Sequence, residues 1–164
     1  MIFRFTQKLA KKLKLPRLTT AALDENPLAD WTANLFTADQ TQYVIVTNTA
    51  SLYSTVFYGK GITDDGKFLT HALSAIRELM VDDGHEFIYR RFVAPASERV
   101  RFASALNRTV TGSMNEMVRF TRWWLTEEEL SPFDASYRLN EIPMSTLDYR
   151  KPREVLTSLD LVTT

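Results

Sequence analysis

The chain is 164 residues long, 45% hydrophobic and 24% charged, with twenty bases balanced by twenty acids and no cysteine. That length suits one domain over residues 1–164 that buries about two-thirds of the surface of its unfolded chain, and the composition excludes disordered and low-complexity classes. With no thiol there is no disulfide, thiolate nucleophile or cysteine zinc site, which accords with a reducing, cytoplasmic location.

The opening MIFRFTQKLAKKLKL breaks its apolar residues with charges every two or three positions, unlike a signal peptide, and no run approaches a membrane span. Neither secretion nor a membrane partner is expected. The zero net charge hides blocks: residues 1–23 carry six bases and no acid, 24–89 ten acids against three bases, 90–122 seven arginines against Glu98 and Glu116, and 123–149 six acids against one base. Pairing of these blocks across the fold explains the neutral total best, and a basic face is the alternative.

In chain order, Ile2–Phe5 suits a first strand, and Thr6 is a cap for a helix in which Leu9 and Leu13 recur one turn apart, with Pro16 ending it. Leu18–Pro27 reads as a loop. The runs WTANLFTAD and YVIVTN, joined by a turn at Asp39–Gln42, predict a β-hairpin, and the succession Val44, Ile45, Val46 predicts a strand covered on both faces. Leu52–Tyr58 predicts a third strand. Residues 66–81 give the clearest helix, capped by Thr63 or Asp64, with Phe68, Leu69, Ala72, Leu73, Ile76, Leu79 and Met80 on one arc. The run EFIYRRFV alternates and predicts another strand. Ala96–Leu106 and Ser113–Leu125 predict helices separated by a turn around Asn107–Gly112, with Thr111 or Ser113 as cap and Glu116 completing a capping box. Beyond Pro132, Tyr137, Pro143, Leu147, Tyr149 and Pro152 predict short helical turns on the surface, followed by a last helix through Glu154–Leu159. Strands early and helices late predict an α+β fold, with a mixed or mainly antiparallel sheet of about four to five strands covered by helices and a helix-rich C-terminal half.

Tests for chemistry return structural readings. Gly61–Phe68, GITDDGKF, follows G-x-x-x-x-G-K of a phosphate loop but ends in Phe68 where magnesium binding needs Ser or Thr. His71 and His85 lie on different elements without ligand-spaced carboxylates, so neither a metal nor another cofactor is implied. Glu127, Glu128 and Glu129, read as helical, diverge around the axis. Ser113 is a helix cap before it is a nucleophile, since no histidine is tied to it. A hydrolase or transferase site at the Arg108–Asn115 turn, using Ser113, Asn115 and Arg108, is the enzyme alternative.

The late helix carries a second face. With residues about 100° apart, Met114, Met117, Val118, Thr121, Trp124 and Leu125 point inward, Glu116, Arg119 and Trp123 point away, and Asn115 and Arg122 lie on one flank. Arginine beside an outward tryptophan is the composition of an interface. The competing expectation, favoured by the usual burial of tryptophan, is that Tyr137 or Tyr149 of the chain's own tail covers Trp123.

The blocks RFTQKLAKKL, WTANLFTADQTQYVIVTN, NRTVTGSMNEM and LNEIPMSTLDYRKPREVL together resemble an uncharacterised bacterial family known only as a domain of unknown function. The resemblance spans nearly the whole chain and implies no activity or catalytic residue. The last block is also similar to the tail of some transposase integrases, which usually have glycine at the place of Asp148; turn chemistry shared by proline and tyrosine accounts for it.

The leading expectation is a non-catalytic protein-interaction module, engaging a protein partner or a second copy of itself through Arg108, Asn115, Arg119 and Trp123. The alternative is nucleic-acid binding through the basic segments 1–17 and 90–122, with Lys8, Lys11, Lys12, Arg99 and Arg101 as contacts.

Overall fold

A computed structural model describes residues 1–106 and 108–163, with side chains up to residue 159. Asn107, expected to open the turn before the late helix, lies outside the described residues. Five strands, β1 (Ile2–Phe5), β2 (Asp30–Ala38), β3 (Thr41–Asn48), β4 (Ser54–Tyr58) and β5 (Arg101–Ser104), form one mixed sheet in the order β4-β3-β2-β1-β5. β1 runs parallel to both β2 and β5, while β2, β3 and β4 are antiparallel neighbours. The helices are α1 (Gln7–Lys12), α2 (Asp65–Asp82), the single turn α3 (Glu86–Ile88), α4 (Arg108–Thr126), α5 (Pro132–Leu139) and α6 (Pro152–Thr163). The fold is α+β, with helices dominating its second half.

The expected hairpin forms around a two-residue turn, Asp39 and Gln40, both with positive φ (47° and 64°), the geometry that matches the twist of the flanking strands. Alternation then sorts the sheet into two faces. Phe3, Phe5, Trp31, Leu35, Val44 and Val46 pack with Leu9 of α1 and with Phe68, Ala72, Ile76 and Leu79 of α2. Phe36, Tyr43, Ile45 and Val56 pack with Met114, Met117 and Trp124 of α4 and with Ala135 and Leu139 of α5. Val44, Ile45 and Val46 are consequently all buried, as their succession implies. α2 starts at the Asp64 cap, whose carboxylate accepts the Lys67 N–H at 2.8 Å, and Phe68 sits in the core.

Several local expectations are corrected. Glu86–Val93 is helical rather than extended: α3 runs into a π-type turn at Tyr89–Val93. Ile88, Phe92 and Val93 are buried while Phe87 is exposed, so four-residue spacing governs and the apparent alternation does not. Ala96–Leu106 is not a helix; after a 3-10 turn at Pro95–Glu98 it supplies β5, which pairs with β1 and sets Phe102 against Phe5 at 5.0 Å. A tertiary partner for the edge of β1 outweighs the local helical preference. α1 ends before Pro16, because Lys14 turns left-handed (φ 55°) and Leu15 N–H bonds back to Ala10 C=O at 3.1 Å. The Thr6 hydroxyl leaves the helix end uncapped and donates instead to Asn34 Oδ1 at 2.7 Å. Glu127–Glu129 follow the end of α4, and Glu128 pairs with Arg138 at 2.7 Å.

Three polar devices join these layers. Arg4, fully buried, donates from Nε and Nη2 to the two Asp30 oxygens, each at 2.8 Å, and from Nη1 and Nη2 to the carbonyls of Ala21 and Ala22 at 2.8 and 2.9 Å. Asp30 also accepts from Thr49 Oγ1 at 2.7 Å and from the Asp24 N–H at 3.0 Å. Burial pushes the Asp30 carboxyl up, but the bonds from Arg4, Asp24 and Thr49 outweigh it and hold the group below its ordinary value. At the sheet's other side, α5 bonds the outer edge of β4: Ser54 N–H donates to Asn140 Oδ1 (2.8 Å), Asn140 Nδ2 donates to Ser54 C=O (2.9 Å), and Val56 N–H donates to Ser136 Oγ (2.7 Å). The tail is fastened by Arg153, which pairs with both Asp83 and Glu141. Before it, Asp148 and Tyr149 both take positive φ (55° and 62°), and Met144 bridges to Arg150, so the integrase-like block is a tight reversal of the chain.

Arg4→Met leaves Asp30 as an unpaired buried carboxylate and is expected to cost about 3–5 kcal/mol in chemical denaturation at neutral pH. Because the folded Asp30 titrates below its unfolded value, the pair's contribution is complete above the ordinary aspartate pKa of about 4 and is lost as pH falls through the lower folded value. The gap between wild type and variant should therefore narrow in acid; a constant gap removes Asp30 from the account. Asn140→Ala should cost about 1–3 kcal/mol and speed exchange of the Ser54 amide hydrogen, and unchanged protection there would show that the edge is held by other contacts.

Candidate functional site

Lys8 and Lys12 recur one turn apart on α1, away from the buried Leu9, so the helix presents cations to solvent while its apolar side holds the sheet. α4 is longer than expected. It begins at Arg108, because Val110 falls in phase with Met114, Met117, Thr121 and Trp124 and extends the core-facing stripe by a turn. The expected turn, the caps at Thr111 or Ser113 and the capping box with Glu116 are thereby replaced by continuous helix. Ser113 is buried, and its hydroxyl lies 2.9 Å from Thr146 Oγ1. Ser113 thus lies within the helix with Thr146 as its partner, not at a turn that opens the helix.

Where α4 crosses the end of β2, it meets α1 across a cleft of about 260 Å³. Lys8 lines one wall, Asn115, Val118, Arg119 and Arg122 the other, and Asn34, Leu35 and Phe36 the floor. Arg122 is held by its Nε, which donates to Thr37 C=O at 2.8 Å. Asn34 Oδ1 is occupied by Thr6 Oγ1 at 2.7 Å and by the Leu35 N–H at 2.8 Å, leaving its Nδ2 as the available donor. Neither Lys8 nor Arg119 has an ion pair or hydrogen bond among the described residues. Three cations and no carboxylate line this cleft, which makes it a local concentration of positive potential on a neutral chain.

Trp123 stands one helical turn beyond Arg119 and is 61% exposed. The tail does not cover it: Tyr137 lies under the Arg153 guanidinium, 5.8 Å from carbon to ring centre, and Tyr149 is exposed. Trp124 behaves oppositely, buried between Phe120 at 6.1 Å and Arg138 at 5.4 Å.

The structure thus gathers Lys8, Asn115 and Arg119 and sets Trp123 beside them. It does not gather the rest. Arg108, at the start of α4, lies about 10 Å along the axis from Asn115. Lys11 is exposed outside the cleft, and Lys12 donates to Gln42 Oε1 at 2.7 Å. Arg99 and Arg101 sit at the opposite end of β1, where Arg101 N–H bonds to Met1 C=O at 2.9 Å and Arg101 borders a separate hollow with Ala22–Glu25. Lys8 of segment 1–17 thus meets Arg119 and Arg122 of segment 90–122, while Arg101 borders a different hollow. Of the first block, Arg4 pairs inside the fold with Asp30, so charge pairing between blocks is partial. Arg122 was legible as a flank residue, but nothing in the sequence tied it to Lys8.

A second polar cluster is closed. The Tyr53 hydroxyl donates to Asp83 Oδ2 at 2.9 Å, His85 Nε2 lies 3.3 Å from the same oxygen, and Arg153 holds Asp83 Oδ1. Burial and the neighbouring carboxylate push the Tyr53 hydroxyl up, and burial pushes His85 down against the pull of Asp83. This cluster fastens α6 to the end of α2. His71 is exposed, its Nδ1 2.9 Å from Lys67 C=O.

Among the described residues no helix is long and apolar enough to cross a membrane, and no group of three or more His, Asp or Glu is placed to hold a metal ion. No curated protein matches the chain. A family model described as Domain of unknown function (DUF6933) matches residues 2–155, a span that contains the whole sheet and both walls of the cleft, and the chain belongs to that family.

Proposed function

We propose that the protein is a single-domain, cytoplasmic, non-catalytic binding module that captures an anionic partner in the cleft between α1 and α4, with Trp123 as its aromatic anchor. The observation that carries this reading is the meeting of Lys8 and Arg119 across one cleft without a carboxylate to neutralise either. The protein-partner expectation at Asn115, Arg119 and Trp123 and the nucleic-acid expectation at Lys8 converge on this surface. An exposed tryptophan beside arginine supports the first as a hot spot, and the cationic lining supports the second. Arg108, Lys11, Lys12, Arg99 and Arg101 are left outside the contact surface.

Retention on immobilised poly-glutamate and on heparin at low ionic strength tests this surface. Lys8→Glu/Arg119→Glu is expected to abolish retention and Trp123→Ala to weaken recovery of a cross-linked protein partner. Both variants should unfold within about 0.5 kcal/mol of wild type, since these side chains are exposed. Equal retention of wild type and the double variant would remove the cleft from the account.

A further inference from the structure

We infer that the anionic partner is a single strand of nucleic acid, with a phosphate seated between Lys8, Arg119 and Arg122 and an adjoining base stacked on Trp123; this rests on the cleft reading above. Donor chemistry points to phosphate. Lys8, Arg119 and Arg122 are acceptor-free cations, Asn34 has only its Nδ2 available, and a phosphodiester offers only acceptors. Its geometry is that of a point anion, which Lys8 meets from one wall while the guanidinium of Arg119 meets it from the other.

The aromatic partner of that anion site distinguishes strand from peptide. Trp123 follows Arg119 by one helical turn, a rise of about 6 Å, and exposes most of its surface. A phosphate and a base of the same strand are covalently linked across a comparable span, and stacking on tryptophan is open to any base because every base has a π-face. A peptide that docks by adding a strand to the sheet is disfavoured at the β4 edge, where Asn140 and Ser136 already occupy the Ser54 and Val56 amides.

Strand is also favoured over duplex. In a duplex the base faces are stacked on one another and closed to Trp123, whereas a single strand can offer one. The cationic track is short: Glu116 shares the helical face of Trp123, seven residues before it, and Glu127 follows the end of the helix with its N–H on the Trp123 carbonyl at 2.8 Å, so both limit favourable phosphate contacts to those near the cleft. Three such contacts give a modest salt dependence, a slope of log K against log salt of about −2.

Anisotropy of a labelled oligothymidylate, titrated with the whole chain at several ionic strengths, tests the inference. Wild type is expected to bind with that slope and to bind the matching duplex more weakly. Trp123→Ala should lose about tenfold in affinity with the slope unchanged. Lys8→Glu/Arg119→Glu should abolish binding, and Arg101→Glu, at the far end of β1, should leave it intact. Thermal melting of each variant shows that the fold is retained. If poly-glutamate binds in a Lys8- and Arg119-dependent way and the oligonucleotide does not, the nucleic-acid inference fails and the cleft reading stands. If neither polyanion binds at low salt, both fail. Oligonucleotide binding that is indifferent to Trp123→Ala, or equally tight for the duplex, overturns the stacked single-strand arrangement.

Discussion

A guanidinium taken out of water must find its acceptors within reach, and Arg4 finds four: two carboxylate oxygens of Asp30 and the carbonyls of Ala21 and Ala22. Those bonds cross from β1 to the start of β2 and gather the long connection between them. Parallel neighbours cannot be joined by a tight turn, so β1 and β2 need such a return path, and the arginine gives this one a fixed course. With Ile2 opposite Asp30 and Phe5 opposite Ala33, α1 emerges beside Asn34. Lys8 stands in the wall of the cleft for that reason. A polar interaction at one end of the sheet thus contributes to the position of a cation at the other.

The second wall of the cleft depends on a different constraint, the length of α4. Starting the helix at Arg108 places Val110 on the buried stripe and gives the helix a continuous apolar seam against β2 and β3. Phase then dictates the rest. Residues that cannot face the seam, Asn115, Arg119 and Trp123, are turned outward, while Arg122 on the flank is close enough to β2 to bond to Thr37. The cleft is the gap left where this helix and α1 approach the same strand from different directions.

Much of this was legible in residues that are close in sequence. The hairpin at Asp39–Gln42, the stripe of residues 66–81, the outward pair Arg119 and Trp123 and the flank residue Asn115 each follow from a local period or a turn preference. What was hidden lies at long range. Glu86–Val93 alternates in composition yet folds on the spacing of Ile88 and Phe92, and Arg101–Ser104 becomes a strand because β1, about a hundred residues earlier, has an edge to fill. Likewise Lys8 and Arg119 carry no mutual signal in the sequence. The burial of Arg4 was invisible for the same reason: a lone arginine in an apolar strand is readable as buried only once Asp30 is known to stand beside it.

The bonds from Asn140 to Ser54 join positions 86 residues apart. During synthesis the chain emerges from its N-terminus, so the hairpin and β4 exist as polypeptide well before the helix that closes their edge. Until α5 arrives, the segment Ser54–Tyr58, STVFY, is an uncharged, β-prone strand with open amides. The side chains of Asn140 and Ser136 thus close in the finished fold an edge that the emerging chain leaves open for about eighty residues of synthesis.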